Sequence, residues 1–235
     1  MRVVTVEPGA LFDAVFTGIL RQAFPADELP SAAQLSGAVS AGGSQVVAAL
    51  DEAGTPVAVA VGESFPESDV LLLSHLAVSP DRRRAGVGGQ LLGYVLDAWR
   101  TRYAPRVILV ELEHPAVHRA STAGGDPVAR LRFYARYGGR ALPVPYFQPA
   151  LGPGRSRVYG MILGTLWVGP DGAGTVPGSV DPEPVRGFLR GYFTQTEGAV
   201  PADRPTRALF VSLDRPEGVP LLPLEDPAAL PVSTA

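Results

Sequence analysis

The chain contains no cysteine. Disulfides, thiolate metal sites and a covalent cysteine intermediate are therefore excluded, and the composition fits a reducing cytoplasm. Long apolar runs are also missing. No stretch approaches the roughly 20 residues of a membrane span. The N-terminal MRVVTVEPGA lacks the apolar core of a signal peptide. Charge of one sign is absent too: a formal net charge of −3 over 235 residues gives no basic face for nucleic acid. Histidine is scarce. His114 and His118 have HxxxH spacing, but Pro115 works against the helix that would aim both rings at one ion, so no metal is expected. There is no internal repeat.

What is present is a 46% hydrophobic chain with 27 glycines and 24 prolines. It is long enough for a real core and rich in loops. Arg2–Val6 reads as a strand. Leu11, Phe12, Val15, Phe16, Ile19 and Leu20 keep helical spacing up to Pro25. Ser31 is a candidate cap for a second helix. Residues 45–50, 56–64 and 70–78 read as three successive strands, the first two joined by a short glycine-containing loop. A long helix follows, then a strand from Val107 to Leu112. Residues 126–137 form a helix capped by Asp126 with Pro127 at its first position. Residues 140–148 and 158–167 read as two further strands.

The centre of this order is Leu71–Arg100. A strand apolar on both faces ends at Ser79-Pro80-Asp81. Arg82, Arg83 and Arg84 come next, then Gly86, Gly88 and Gly89. Val87, Leu91, Leu92, Val95, Leu96 and Trp99 then fall at helical spacing. The first amides of a helix have no internal partner and carry partial positive charge. Glycine allows close backbone approach, and arginine pairs with phosphate oxygens. The residues alone fit two readings: a phosphate site, or a glycine-rich turn capping a helix beside solvated arginines. The Walker lysine and the third glycine of GxGxxG are both missing.

Arg83-Arg84-Ala85-Gly86-Val87-Gly88 resembles the R/Q-x-x-G-x-G/A signature of the GNAT N-acetyltransferase superfamily. Phe133-Tyr134-Ala135-Arg136-Tyr137-Gly138-Gly139 resembles that family's FYxxxGF segment, with Gly139 in place of the last aromatic and looser packing expected at that turn. The element order β-α-α-β-β-β-α-β-α-β-β agrees over residues 2–168. The resemblance implies an α/β fold with a mixed, largely antiparallel sheet and flanking helices. It also implies acetyl-coenzyme A as co-substrate and an amine acceptor, either a small molecule or a peptide. Leu76, Ala77 and Val78 would offer main-chain groups to the pantetheine arm. Arg83, Arg84, Ala85, Gly86, Val87, Gly88 and Gly89 would hold the pyrophosphate. The alternative is the same fold as a non-catalytic acyl-coenzyme A sensor or scaffold.

Acyl transfer to an amine needs a proton acceptor for the amine and a proton for the leaving thiolate. Without cysteine, direct attack is the simpler course. Tyr134 occupies the position where the family often places a hydroxyl near the coenzyme sulfur. Glu111 and Glu113 share one face if their strand runs that far, and either is a candidate to take the amine proton. His75 reads as a core histidine. Tyr146, Phe147 and Gln148 either line the acceptor pocket or are ordinary strand residues. The domain boundary is expected at 168. Beyond it, residues 169–235 form an extension with a linker, a helix striped by Val185, Phe188, Leu189 and Tyr192, a late strand at 208–213, and a loosely ordered proline-rich end. The stripe either packs on the same domain, the reading favoured here, or covers a dimer contact or the acceptor site. Arg83→Ala is expected to raise the KM for acetyl-coenzyme A while leaving acceptor preference unchanged, as measured by steady-state kinetics over several amines.

Overall fold

A computed structural model describes residues 1–82, 85–121 and 125–235. The arginine pair Arg83 and Arg84 lies outside the described residues. The chain divides into two compact units, residues 1–64 with 73–104, and residues 65–72 with 105–235. The fold is the mixed α/β class expected from the sequence, with a large and mostly antiparallel sheet and flanking helices.

In the first unit β1 (Arg2–Val6) pairs antiparallel with β2 (Ser44–Leu50), and β2 with β3 (Pro56–Phe65, of which the unit contains the part to Ser64). β4 (Val70–Val78) contributes its Leu73–Val78 end. Between β1 and β2 lies α1 (Ala10–Val15), which runs through a π-helical turn (Phe16–Leu20) into α2 (Arg21–Ala23). Next comes α3 (Ala32–Ser40), closed by a full capping box in which Ser31 and Gln34 satisfy each other's backbone donors. Phe12, Val15, Phe16, Ile19, Leu20 and Leu35 fill one core with Val46, Ala48, Val59, Val61 and Ala77. α4 (Val87–Tyr103) carries the fully buried Trp99, whose indole N–H donates to Gln45 at 2.6 Å. The ring lies against the bare backbone of Gly62.

In the second unit the strand order is β5 (Val107–Glu113), β7 (Met161–Val168), β6 (Arg140–Ala141) and β10 (Leu222–Pro223), all antiparallel. α5 (Pro127–Arg136) begins at the expected cap, Asp126, which accepts from the Val128 amide. The strand expected over 140–148 stops at Ala141. Pro143 and Pro145 have no amide to give to a ladder, and the chain turns tightly instead, with Val144 N–H donating to Leu142 O and Tyr146 N–H to Val144 O. Gln148 rejoins the antiparallel pairing at Val158.

The extension is built into this unit. β8 (Ser179–Val180) pairs with β9 (Val219–Pro220). Val185, Phe188, Leu189, Tyr192 and Phe193 of α6 (Pro182–Glu197) are buried with Val107, Leu109, Met161 and Leu163 of β5 and β7. At about 1.5–3 kcal/mol for each such side chain, α6 contributes heavily to the core of its unit. The late strand expected at 208–213 is largely helical, in α7 (Arg204–Val211), because Asp203 caps the Thr206 amide and Pro205 sits in the first turn. The proline-rich end is tied down by buried Val219, Leu224, Leu230 and Ser233. Arg157 joins the β6–β7 connection to α6 and α7. It pairs bidentately with Glu197 at 2.7 and 2.8 Å and reaches Asp203 at 2.8 Å, with its guanidinium over the rings of Phe147 and Phe193.

Gly139 differs from the loose turn expected of it. A Cβ there would lie 2.8 Å from the Tyr134 carbonyl oxygen and 2.9 Å from Leu224. The Gly139 amide closes the helix on that same oxygen, so this turn has no room for a side chain.

A Cβ at Gly62 would fall 2.6 Å from the Trp99 ring. Gly62→Ala is expected to cost about 1–2 kcal/mol through overpacking, read as a lower denaturant midpoint with an unchanged slope.

Candidate active site

The first unit carries the loop. β4 presents Leu76 and Val78 half-exposed, while Ala77 is buried in the core. A 3-10 turn (Pro80–Arg82) follows, and Gly86 stands as the α4 N-cap at φ 78°, a left-handed conformation that glycine adopts without strain. The amides of Gly89 and Gln90 both return to the Gly86 carbonyl. Those of Val87 and Gly88 meet no carbonyl among the described residues. Gly88 is also constrained, since a Cβ there would lie 3.0 Å from Val78. The glycines thus combine a forced turn, a close strand–helix approach and open amides. Beside them a depression of about 540 Å³ is lined by Asp51, Glu52, Arg82, Ala85 and Val87. Arg82 is engaged there with Asp51 at 3.4 Å.

The same unit holds a polar group on β3 and β4. His75 is buried edge-on to Phe24. A carbonyl only accepts, so the His75 Nε2–H donates to Glu28 O at 2.8 Å, while Nδ1 lies 2.9 Å from the Ser74 hydroxyl, which also reaches Val61 O. Burial pushes its pKa down to about 4, the Glu28 carbonyl opposing this, so the ring is neutral at neutral pH. Glu63, near Ser74, is raised by burial and drawn back by the Ser74 hydroxyl.

The second unit carries the acid and the tyrosines. Glu111 and Glu113 both lie within β5, two apart and so on one face, but they have different surroundings. Glu113 is paired with Arg130 of α5 at 2.8 Å and lies 3.8 Å from His118. Glu111 accepts from the Tyr146 hydroxyl on Oε1 at 2.5 Å and from the Tyr192 hydroxyl on Oε2 at 3.5 Å. Tyr134 is buried on α5 against Phe133. Burial pushes its phenol up, with the Arg130 charge pulling the other way. No hydrogen bond reaches its hydroxyl among the described residues. Phe147 and Gln148 are buried, Phe147 stacked with Tyr159. His114 is a structural residue: its Nδ1 accepts from the Ala116 amide and its Nε2–H donates to Pro227 O. His118 contacts Tyr159 O, and no cluster of metal ligands exists among the described residues. No helix among them is long and apolar enough to cross a membrane.

Sequence reasoning missed Tyr192 and Glu63. The helical stripe contained Tyr192 but reads equally as plain core, and Glu63 is one polar residue at the end of an apolar strand.

Residues 42–138 match the model of the acetyltransferase (GNAT) domain. The matched stretch is less than half of the chain and runs from just before β2 to just after α5. Among solved structures it resembles a protein from Bacteroides thetaiotaomicron described as a GNAT-family acetyltransferase, at 20% identity over 83% of this chain and 97% of that one, TM-score 0.61. It also resembles aminoglycoside 6'-acetyltransferase type Ii, at 17% identity over 72% and 100% of the respective chains, TM-score 0.50. A GNAT acetyltransferase from Elizabethkingia anophelis with acetyl-coenzyme A bound aligns at 16% identity over 70% and 95%, TM-score 0.47. No curated protein sequence matches.

His75 gives the fold a pH dependence of definite sign. The unfolded chain takes up a proton near pH 6.5, whereas the folded ring does so only near pH 4. Stability is therefore full above about pH 6.5 and falls as pH drops towards 4. A slope of about 1 kcal/mol per pH unit in that window, flattened by His75→Leu, is expected from denaturation midpoints.

Proposed function

We propose that the protein moves an acetyl group from acetyl-coenzyme A to an amine of a small molecule or peptide by direct attack. The amine nitrogen bonds to the thioester carbon, the C–S bond breaks, and the thiolate takes the phenolic proton of Tyr134. Glu111 receives the amine proton, directly or through water. Glu113, already paired with Arg130, holds α5 to β5 instead. The open amides of Val87 and Gly88, with Arg83 and Arg84, bind the pyrophosphate, and Leu76 to Val78 run beside the pantetheine arm. The catalytic fold spans residues 1–168, joined to the extension through the second core, and the absence of cysteine suits a cytoplasmic setting.

The observation that carries this reading is Tyr134. Its ring is buried, while its hydroxyl keeps some exposure and has no hydrogen-bond partner among the described residues, so it can meet a ligand atom. With its pKa raised by burial it stays protonated, as a proton donor to a thiolate must. Tyr134→Phe is expected to lower kcat roughly 100-fold with little change in the KM for acetyl-coenzyme A. Thiol release over an amine panel measures this, and unchanged turnover would remove Tyr134 from the reaction.

A further inference from the structure

Glu111 lies on β5 with the apolar Leu163 as its cross-strand partner on β7. The titratable groups that face it come from elsewhere. Tyr146 stands on the irregular segment after β6, and Tyr192 on α6. The neighbouring acid on its own strand, Glu113, is occupied by Arg130 and lies near His118. Each carboxylate oxygen of Glu111 thus meets one phenol, the nearer at 2.5 Å and the farther at 3.5 Å.

Tyr146 is held by the extension as well. Pro143 and Pro145 deny its segment a ladder, and besides its own tight turns the segment is held by residues beyond 168. The Ser233 hydroxyl donates to the Tyr146 carbonyl at 2.5 Å and accepts from the Gly160 amide at 2.8 Å. Glu197 accepts from the Ala150 amide at 3.0 Å while it grips Arg157. Both rings are buried, Tyr192 edge-on to Phe65 and beside Phe188. One phenol therefore belongs to the extension and the other is positioned by it.

We propose that Tyr192 and Tyr146 are positioning residues for acetyl transfer: their hydroxyls keep the Glu111 carboxylate ionised and aimed, so that residues 169–235 are a working part of the acceptor side of the reaction. The proposal rests on the role given to Glu111 above. Two phenols on one carboxyl favour its anion. A carboxylate held in this way is ready for an ammonium or its proton at neutral pH, and loses that readiness only when acid protonates it. Removing either hydroxyl weakens the anion and raises the pH at which it is lost.

Tyr192→Phe keeps the ring among its aromatic neighbours and deletes only the hydroxyl. The acidic limb of kcat/KM for the amine is expected to move up by about half a pH unit in Tyr192→Phe and about one unit in Tyr146→Phe. The KM for acetyl-coenzyme A and the melting temperature should hold. Ser233→Ala should move the limb in the same direction. A second readout needs no turnover: the Glu111 carboxyl carbon, assigned by loss of its signal in Glu111→Gln, is titrated by NMR in the full chain and should protonate at higher pH in Tyr192→Phe. A limb that stays fixed, with or without a uniform loss of rate, overturns the proposal, as does a Glu111 that titrates alike in both proteins. Absence of thiol release from the unaltered protein with every amine would instead count against the transferase reading, leaving the carbon titration to decide whether the two hydroxyls hold Glu111.

Discussion

Arg157 is the tie on which the second unit depends. It sits in a connection rich in glycine and proline, where backbone pairing is thin, and it is met by a carboxylate from α6 and another at the start of α7. The guanidinium is largely sheltered, lies over two aromatic rings, and holds its proton more tightly than usual because Glu197 stands against it. Breaking such a pair from one side strands a charge that has already lost much of its water. The triad therefore ties α6 and the start of α7 to the β6–β7 connection.

The two units solve different problems. The first builds a backbone feature: a left-handed glycine, a helix start and a strand close enough to exclude a Cβ. Such a feature suits an anion that is recognised by shape and dipole. The second builds a side-chain feature, in which a carboxylate and three tyrosines have distinct surroundings. Tyr146 and Tyr192 give their hydroxyls to Glu111, whereas Tyr134 keeps its own. Burial alone does not distinguish these three rings; hydrogen bonding does.

The sequence carried most of the fold. Helical stripes, caps at Ser31 and Asp126, and glycine punctuation placed the elements through α5 in order, because each is a local signal. It failed where distant residues decide. The run from Arg140 to Gln148 has strand-like composition, yet prolines at 143 and 145 outweigh its aromatic residues. Residues 208–213 look β-prone, yet the cap at Asp203 and the proline behind it start a helix. The candidate site was legible only in part. Motif position and strand parity singled out Tyr134 and Glu111 as candidates. Tyr192 lies 81 residues from Glu111 in sequence, and no local pattern announces such a meeting. The loose turn expected at Gly139 failed for a similar reason: Leu224, far along the chain, occupies the space.

Pro143 and Pro145 act before the chain has folded as well as after. Each fixes one backbone torsion and biases the residue ahead of it towards extended geometry. The disordered chain around Tyr146 therefore explores fewer shapes, and less freedom is surrendered when the segment settles into its tight turns. A stretch without regular hydrogen bonding can in this way hold a phenol steadily. Its rigidity comes partly from what the unfolded ensemble was never able to do.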